Sequence, residues 1–141
     1  MKINDVLRSK GNEVVTISPE ATVTELLALL ADRNIGAVVV SPDGSAVAGI
    51  VSERDIVRLW NGTPDAGEVR VSAIMTPEVA TCGPDEHIDD LMRLMTDRRI
   101  RHVPVVVDGN LAGLVSIGDV VKSRIGELEF EREQLSNYIS S

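Results

Sequence analysis

The chain contains the same stretch twice. Residues 33–55 read RNIGAVVVSPDGSAVAGIVSERD, and residues 98–119 read RRIRHVPVVVDGNLAGLVSIGD. Ile35 answers Ile100, Val38 answers Val103 and Val40 answers Val105, each 65 residues on; past the turn the offset is 64, pairing Gly49 with Gly113, Val51 with Val115, Ser52 with Ser116 and Asp55 with Asp119. The lost residue falls in a hairpin, where connections tolerate changes of length. Half of this 141-residue chain is too short to bury much apolar surface alone, although 43% of the whole is hydrophobic. The duplication therefore requires two halves that pack face to face and stabilise each other.

The surrounding sequence extends the repeat. Ile3–Leu7 is a short apolar turn of helix, and Val71–Met75 is its counterpart, three residues closer to the strand that follows. Val14–Ile17, stopped by Ser18-Pro19, predicts a short buried strand that recurs as Val79–Cys82 before Gly83-Pro84. A helix follows each. Thr22 and Glu25 form a capping box ahead of Val23, Leu26, Leu27 and Leu30, and the same face returns as Ile88, Leu91, Met92 and Met95. His87 stands where Thr22 stood, so Asp85 is an alternative cap and the boundary is open by a turn.

Paired strands come next, Ala37–Val40 with Val47–Val51 and Val103–Val107 with Leu111–Val115. Pro42-Asp43-Gly44 and Asp108-Gly109-Asn110 are suited to reversing the chain between them. Each second strand runs into a helix, from Ser52 to about Asn61 with Gly62 as its stop, and from Ser116 onward. The expected fold is α+β, two β-α-β-β-α repeats related by a pseudo-two-fold axis. The expected units are 1–62, a polar linker 63–70, 71–124, and a helical extension 125–141. That extension has a weak point at Gly126, yet Val121, Ile125, Leu128, Leu135 and Ile139 keep an apolar seam at heptad spacing, interrupted by Arg132. Two readings stand: the seam packs on its own body, or it meets the same helix of a second copy in a homodimer.

The charge excludes several functions. The net charge is −8, and Phe130, Trp60 and Tyr138 are the only aromatics. Neither a basic face nor stacking platforms are offered, so no nucleic-acid partner is expected. No run approaches a membrane span and no secretory signal opens the chain; the one cysteine, Cys82, reads as a small core residue and needs no oxidising compartment. The expected location is the cytoplasm. His87 and His102 have no partners at metal-ligand spacing, and neither a catalytic triad nor a phosphate-binding Gly-rich loop is present, so an enzyme is not expected. Against the acidic background, Arg98, Arg99, Arg101 and His102 form a local anion-attracting cluster.

The element order, the strand-Ser-Pro start at Thr16–Pro19, the Arg101-His102-Val103-Pro104-Val105 strand and the endings Gly49-Ile50-Val51-Ser52-Glu53-Arg54-Asp55 and Gly113-Leu114-Val115-Ser116-Ile117-Gly118-Asp119 together resemble the CBS domain family. From about Val6 to Arg124 the chain is similar to a stand-alone tandem pair, or Bateman module. The resemblance implies a non-catalytic regulatory module. It would bind AMP, ADP, ATP, NAD or S-adenosylmethionine between the repeats, with AMP foremost, and would signal to a separate effector protein.

It implies ribose contacts from Asp119 and Asp55 with Ser116 and Ser52. Phosphate contacts would come from Arg101 and His102, helped by Arg99 and Arg54, and adenine would lie in a slot edged by Thr16 and Ile17 or by Thr81 and Cys82. Both Ser-x-x-Asp runs are also capping boxes in form. Capping does not require the upstream glycines, which favours a ligand. The first repeat has Gly36-Ala37 where the second has Arg101-His102, so two equal sites are not expected. The favoured site combines Asp119 with the Arg101-His102 strand, leaving the other weak, vacant or suited to an uncharged ligand end. The competing reading is a ligand-independent dimerisation scaffold.

Overall fold

The computed structural model describes residues 1–11 and 13–140. Its elements follow the repeat: α1 (Ile3–Lys10), β1 (Thr16–Ile17), α2 (Val23–Arg33), β2 (Ala37–Val40), β3 (Gly49–Ser52) and α3 (Glu53–Trp60), then α4 (Val71–Ile74), α5 (Ile88–Arg98), β4 (His102–Val107), β5 (Asn110–Ser116) and α6 (Ile117–Ser140). The expected α+β duplication is present. β1 is shorter than expected, and its second copy is reduced to Cys82, bridged in parallel to Val105; this repeats the parallel pair Ile17–Val40. β3 begins at Gly49 rather than Val47, because the Ser41 hydroxyl and the Asp43 carboxylate take up the amides of Gly44, Ser45 and Ala46 and hold that stretch as a loop. The second hairpin is tighter. Asp108 and Gly109 both have positive φ (51° and 80°), the conformation of a two-residue turn.

The hairpin registers are copied as well. Ala37 lies opposite Ser52 and Val38 opposite Val51; His102 lies opposite Ser116 and Val103 opposite Val115. Where the two hairpin ends meet, equivalent positions touch each other: the Ser45 hydroxyl donates to Asn110 Oδ1 at 2.7 Å, and the Leu111 amide donates to the Ser45 carbonyl at 2.7 Å. Contact between equivalent residues marks the pseudo-two-fold axis.

Consecutive in sequence, the repeats are crossed in space. Ile3, Val6 and Leu7 of α1 are buried with Cys82, Ile88, Leu91, Met95, Val103 and Val115, the core of the second repeat. Val71 is buried in the first repeat's core, with Val69, Ile74 and Met75 packed beside it. Three backbone hydrogen bonds fix each exchange. Ile3 donates to Glu86, Asn4 to Pro84, and Ile88 to Met1; symmetrically, Val71 donates to Ala21, Ser72 to Pro19, and Val23 to Val69, all between 2.8 and 3.1 Å. The polar linker is likewise ordered, with a 3-10 turn at Ala66–Glu68 whose Gly67 carbonyl accepts from the Thr24 hydroxyl. Burying three side chains such as those of α1 contributes about 5–8 kcal/mol, comparable to the whole net stability of a small domain.

The exchange also accounts for the repeated glycine. A Cβ on Gly49 would lie 2.8 Å from both the Met75 sulfur and the Thr76 carbonyl oxygen; one on Gly113 would lie 2.7 Å from Leu7 Cδ2. Each glycine makes room for the exchanged segment, so neither is a sign of a ligand. The fourth residue of each ending faces the same structural demand, a cap. α5 lacks a side-chain cap: its N-cap is His87, with no side-chain bond, and Asp85 does not cap. α6 runs through Gly126 without a break.

Gly49→Ala is expected to cost about 1–3 kcal/mol of stability, because Thr76 is pinned by reciprocal backbone bonds to Ile50 (3.0 and 2.8 Å) and cannot retreat. Gly113→Ala should cost less, since only the end of the Leu7 side chain must move. Urea denaturation of both variants measures this, and a Gly49→Ala midpoint equal to the parent's would show that close approach is not the constraint.

Candidate functional site

Because β2 and β4 begin beside the pseudo-axis, each of two clefts takes walls from both repeats. The first, about 460 Å³, is lined by Ile50, Ser52, Arg54 and Asp55 on one side and by Arg99, Ile100, Arg101 and His102 on the other, with Gly36, Ala37 and Thr76 between. The second, about 360 Å³, is lined by Leu114, Ser116 and Asp119, by Ile35, Gly36 and Ala37, and by Lys10, Glu13, Val14 and Val15. His102 lines both. These are the same cleft twice, built from equivalent positions.

In each, the hairpin register sets the serine beside the start of the opposing strand, and the first turn of the following helix presents the aspartate. Asp55 Oδ2 accepts from the Ser52 amide at 2.8 Å and the Ser52 hydroxyl at 3.2 Å. Asp119 Oδ2 accepts from the Ser116 amide at 2.9 Å, while the Asp119 amide donates to the Ser116 hydroxyl at 3.1 Å. The helix start is tied down by a second bond, from Glu53 to the Gly36 carbonyl and from Ile117 to the Arg101 carbonyl. Capping therefore engages one oxygen of each carboxylate and no hydrogen bond to Oδ1 is found among the described residues.

The cation distribution separates the clefts. Lys10 Nζ lies 2.6 Å from Asp119 Oδ2 and 2.7 Å from the Leu114 carbonyl, so the second cleft carries an internal cation on its own aspartate. Partial burial pushes Asp119 up, but the hydrogen bonds from Lys10 and Ser116 outweigh it and leave its carboxyl below the usual range. The first cleft has no such plug. Arg54, Arg99 and Arg101 are exposed at its walls, and among the described residues no carboxylate lies within ion-pair distance of any of them. Three guanidiniums line the first cleft with Glu53 and Asp55, whereas one ammonium lines the second with Glu13 and Asp119.

This grouping corrects the expected combination of Asp119 with Arg101. Arg101 stands at the bend that precedes β4, and His102 is the first residue of the strand. Arg101 lines only the Asp55 cleft; His102 reaches the Asp119 cleft too. Arg99 belongs to the Asp55 cleft through its backbone: it ends α5 in the left-handed conformation (φ 54°), as Asn34 ends α2 (φ 52°). Burial pushes His102 below its ordinary pKa, Lys10 and Arg101 add to that, and Asp119 opposes it.

The four residues expected to edge an adenine slot lie outside both clefts. Neither Thr16 and Ile17 nor Thr81 and Cys82 line either cleft, because Ile17 and Cys82 turn into the cores. Val14 and Val15, two residues earlier, supply the apolar wall of the second cleft. They were legible as apolar, but were assigned to a strand that begins only at Thr16. The Cys82 thiol, desolvated and near Glu86, is pushed up to about 12 and is inert as a nucleophile at neutral pH. Among the described residues, no group of three His, Cys, Asp or Glu side chains could hold a metal ion, and no helix is long and apolar enough to cross a membrane.

Comparison with known proteins agrees with this geometry. The CBS domain profile matches residues 3–62 and again 71–126. The chain is 37% identical over 147 residues to the mitochondrial CBS domain-containing protein CBSX3 of Arabidopsis thaliana, covering 97% of this chain and 71% of that one. The crystal structure of the CBS-domain containing protein ATU1752 from Agrobacterium tumefaciens superposes with a TM-score of 0.83 at 44% identity, covering 88% of this chain and 99% of that one. The CBS domain pair of protein MJ0100, solved with 5′-methylthioadenosine and S-adenosyl-L-methionine, shares the fold at a TM-score of 0.79 and 24% identity, with 90% and 98% covered. With both repeats matched and the crossed pair of clefts in place, this chain belongs to the CBS domain family, as a tandem pair.

Proposed function

We propose that this CBS pair is a regulatory module whose Asp55 cleft takes an adenosine-containing ligand ending in phosphate, and that it signals to a separate effector protein. The observation that carries the reading is a set of three guanidiniums with no ion pair among the described residues: Arg99 and Arg101 lie across the cleft from the Ser52–Asp55 pair, and Arg54 stands beside that pair. The Asp55 carboxylate, with Oδ1 uncommitted, suits vicinal ribose hydroxyls, and a guanidinium fork suits phosphate. The N-terminus of α3 adds its partial positive charge. That a CBS pair of the same fold holds adenosyl compounds supports the class; the arginines favour AMP, ADP, ATP or NAD over S-adenosylmethionine. A cleft of about 460 Å³ suits a mononucleotide best, so AMP comes first.

Such a ligand would touch Asp55 from one repeat and Arg99 and Arg101 from the other. It would therefore favour whichever arrangement of the halves brings those groups to its two ends, by no more than its difference in affinity between arrangements. The second cleft, with Lys10 bonded to Asp119, would contribute little.

Isothermal titration of extensively dialysed protein with AMP, ADP, ATP, NAD and S-adenosylmethionine tests the class. A phosphate-bearing adenosine compound is expected to bind; Arg99→Ala with Arg101→Ala should weaken it at least tenfold while leaving the ligand-free melting temperature unchanged. Asp55→Asn should weaken binding and Asp119→Asn should not. Absence of binding by all five compounds, or equal losses from the two Asp→Asn variants, would overturn the assignment.

His102 gives a second measurement. Its pKa is depressed in the fold, so its contribution to stability is full above about 6.5 and is lost as pH falls through that value towards the folded pKa. Urea midpoints at pH 7.5, 6.5 and 5.5 should decline in the parent and decline less in His102→Gln. Identical slopes would show that His102 titrates as it does in the unfolded chain.

A further inference from the structure

α6 turns one face to its own body and leaves an apolar line uncovered. Val120 is buried, Ser123, Arg124 and Glu127 are half-buried against α1, α5 and β5, and Arg124 reaches Asp89 at 4.0 Å. The uncovered line, Val121, Ile125, Leu128, Arg132, Leu135 and Ile139, is spaced 4, 3, 4, 3 and 4 residues apart and lies roughly 100° round the helix from Val120. Its apolar members are from about half to three-quarters exposed, and every residue from Leu128 to Ser140 is exposed. A helical tail of that length is marginal on its own in water.

We propose that this line is the seam of a parallel, in-register two-stranded coiled coil with α6 of a second copy of the chain. The spacing assigns Ile125, Arg132 and Ile139 to a positions and Val121, Leu128 and Leu135 to d positions. Ile at a with Leu at d is the pattern that favours two parallel strands. The flanking charges select the same orientation. In the parallel arrangement Arg124, at g, faces Glu129, at e, of the second copy, and does so twice. The antiparallel arrangement that overlaps the whole seam would oppose Glu129 to Glu129 and Glu131 to Glu131, in a chain already at −8. Arg132 is the one polar residue at the centre of the seam. Beside its own Glu131 and that of the second copy, its charge is compensated in register and in no shifted pairing, the role a single polar a residue plays in fixing register and strand number.

Sedimentation equilibrium of the full chain tests the proposal. The parent is expected at twice the 15.2 kDa chain mass. Leu128→Glu with Leu135→Glu should be monomeric, with the thermal transition of the repeats retained, since both positions are exposed. Ile139→Cys should form an interchain disulfide under mild oxidation, because a parallel seam sets position 139 against itself; Cys82, being buried, serves as the unreactive control in the parent. A monomeric parent at 100 μM, or a dimer that survives the double substitution, overturns the seam. A dimer lost on the double substitution but without the Ile139→Cys cross-link overturns the parallel orientation.

Discussion

The exchange of opening segments is the contact on which the rest depends. α1 closes the core of the second repeat and the Val69–Met75 stretch closes the core of the first, each through three matched backbone hydrogen bonds. Neither core is complete without residues from the other end of the repeat order. The clefts are a consequence. Crossing the segments brings the starts of β2 and β4 together at the pseudo-axis, so that Gly36, Ala37 and His102 line both clefts. It also delivers Lys10, at the end of α1, to Asp119, whereas the matching position of the second segment is Glu78, so no cation reaches Asp55 that way. That substitution, with Arg99 and Arg101 standing where the first repeat has Asn34 and Gly36, makes the clefts unequal.

Much of the fold was legible because the repeat is a strong constraint. The 65-residue offset made Cys82 the counterpart of Ile17, and the structure gives both the same kind of parallel bridge; the residues paired at offsets of 65 and 64 occupy matching places in the two hairpins. Even the shift of three residues between Ile3 and Val71 was visible, since their backbone bonds are now seen to be equivalent. The exchange was not visible. Ile3, Val6 and Leu7 are apolar in either partner's groove, and a hydrophobic pattern carries no information about which of two similar cores it fills. The glycines show the cost of that gap: with no crossing segment in view, Gly49 and Gly113 pointed to a ligand, whereas their hydrogens face Met75, Thr76 and Leu7.

The residues of the candidate site were named more readily than they were grouped. Ser52, Asp55, Ser116 and Asp119 announce themselves by recurrence, but recurrence does not say which residues share a cleft. Arg101 was grouped with Asp119, whereas it lines the Asp55 cleft and His102 lines both. The apolar wall of the second cleft was missed for a related reason. Val14–Ile17 was read as one buried strand, yet strand pairing begins only at Thr16, and the residues that line the cleft are Val14 and Val15.

The starting residues of α6 link these features. The helix begins at Ile117, whose amide is held by the Arg101 carbonyl, and its first turn is capped by the Ser116–Asp119 box that Lys10 clamps to α1. Its orientation is therefore set by the same few atoms that shape the second cleft and by the backbone of the residue whose side chain enters the first. A ligand bridging Asp55 and Arg101 would act on that backbone, and the long arm of α6 would amplify a small rotation at Ile117 into a larger displacement at Ile139. Paired tails would resist such a rotation in one module unless the other followed. Under the proposed reading, two-fold pairing and ligand response are then coupled by geometry alone, with the stiffness of the Lys10–Asp119 clamp deciding how much motion passes from cleft to helix.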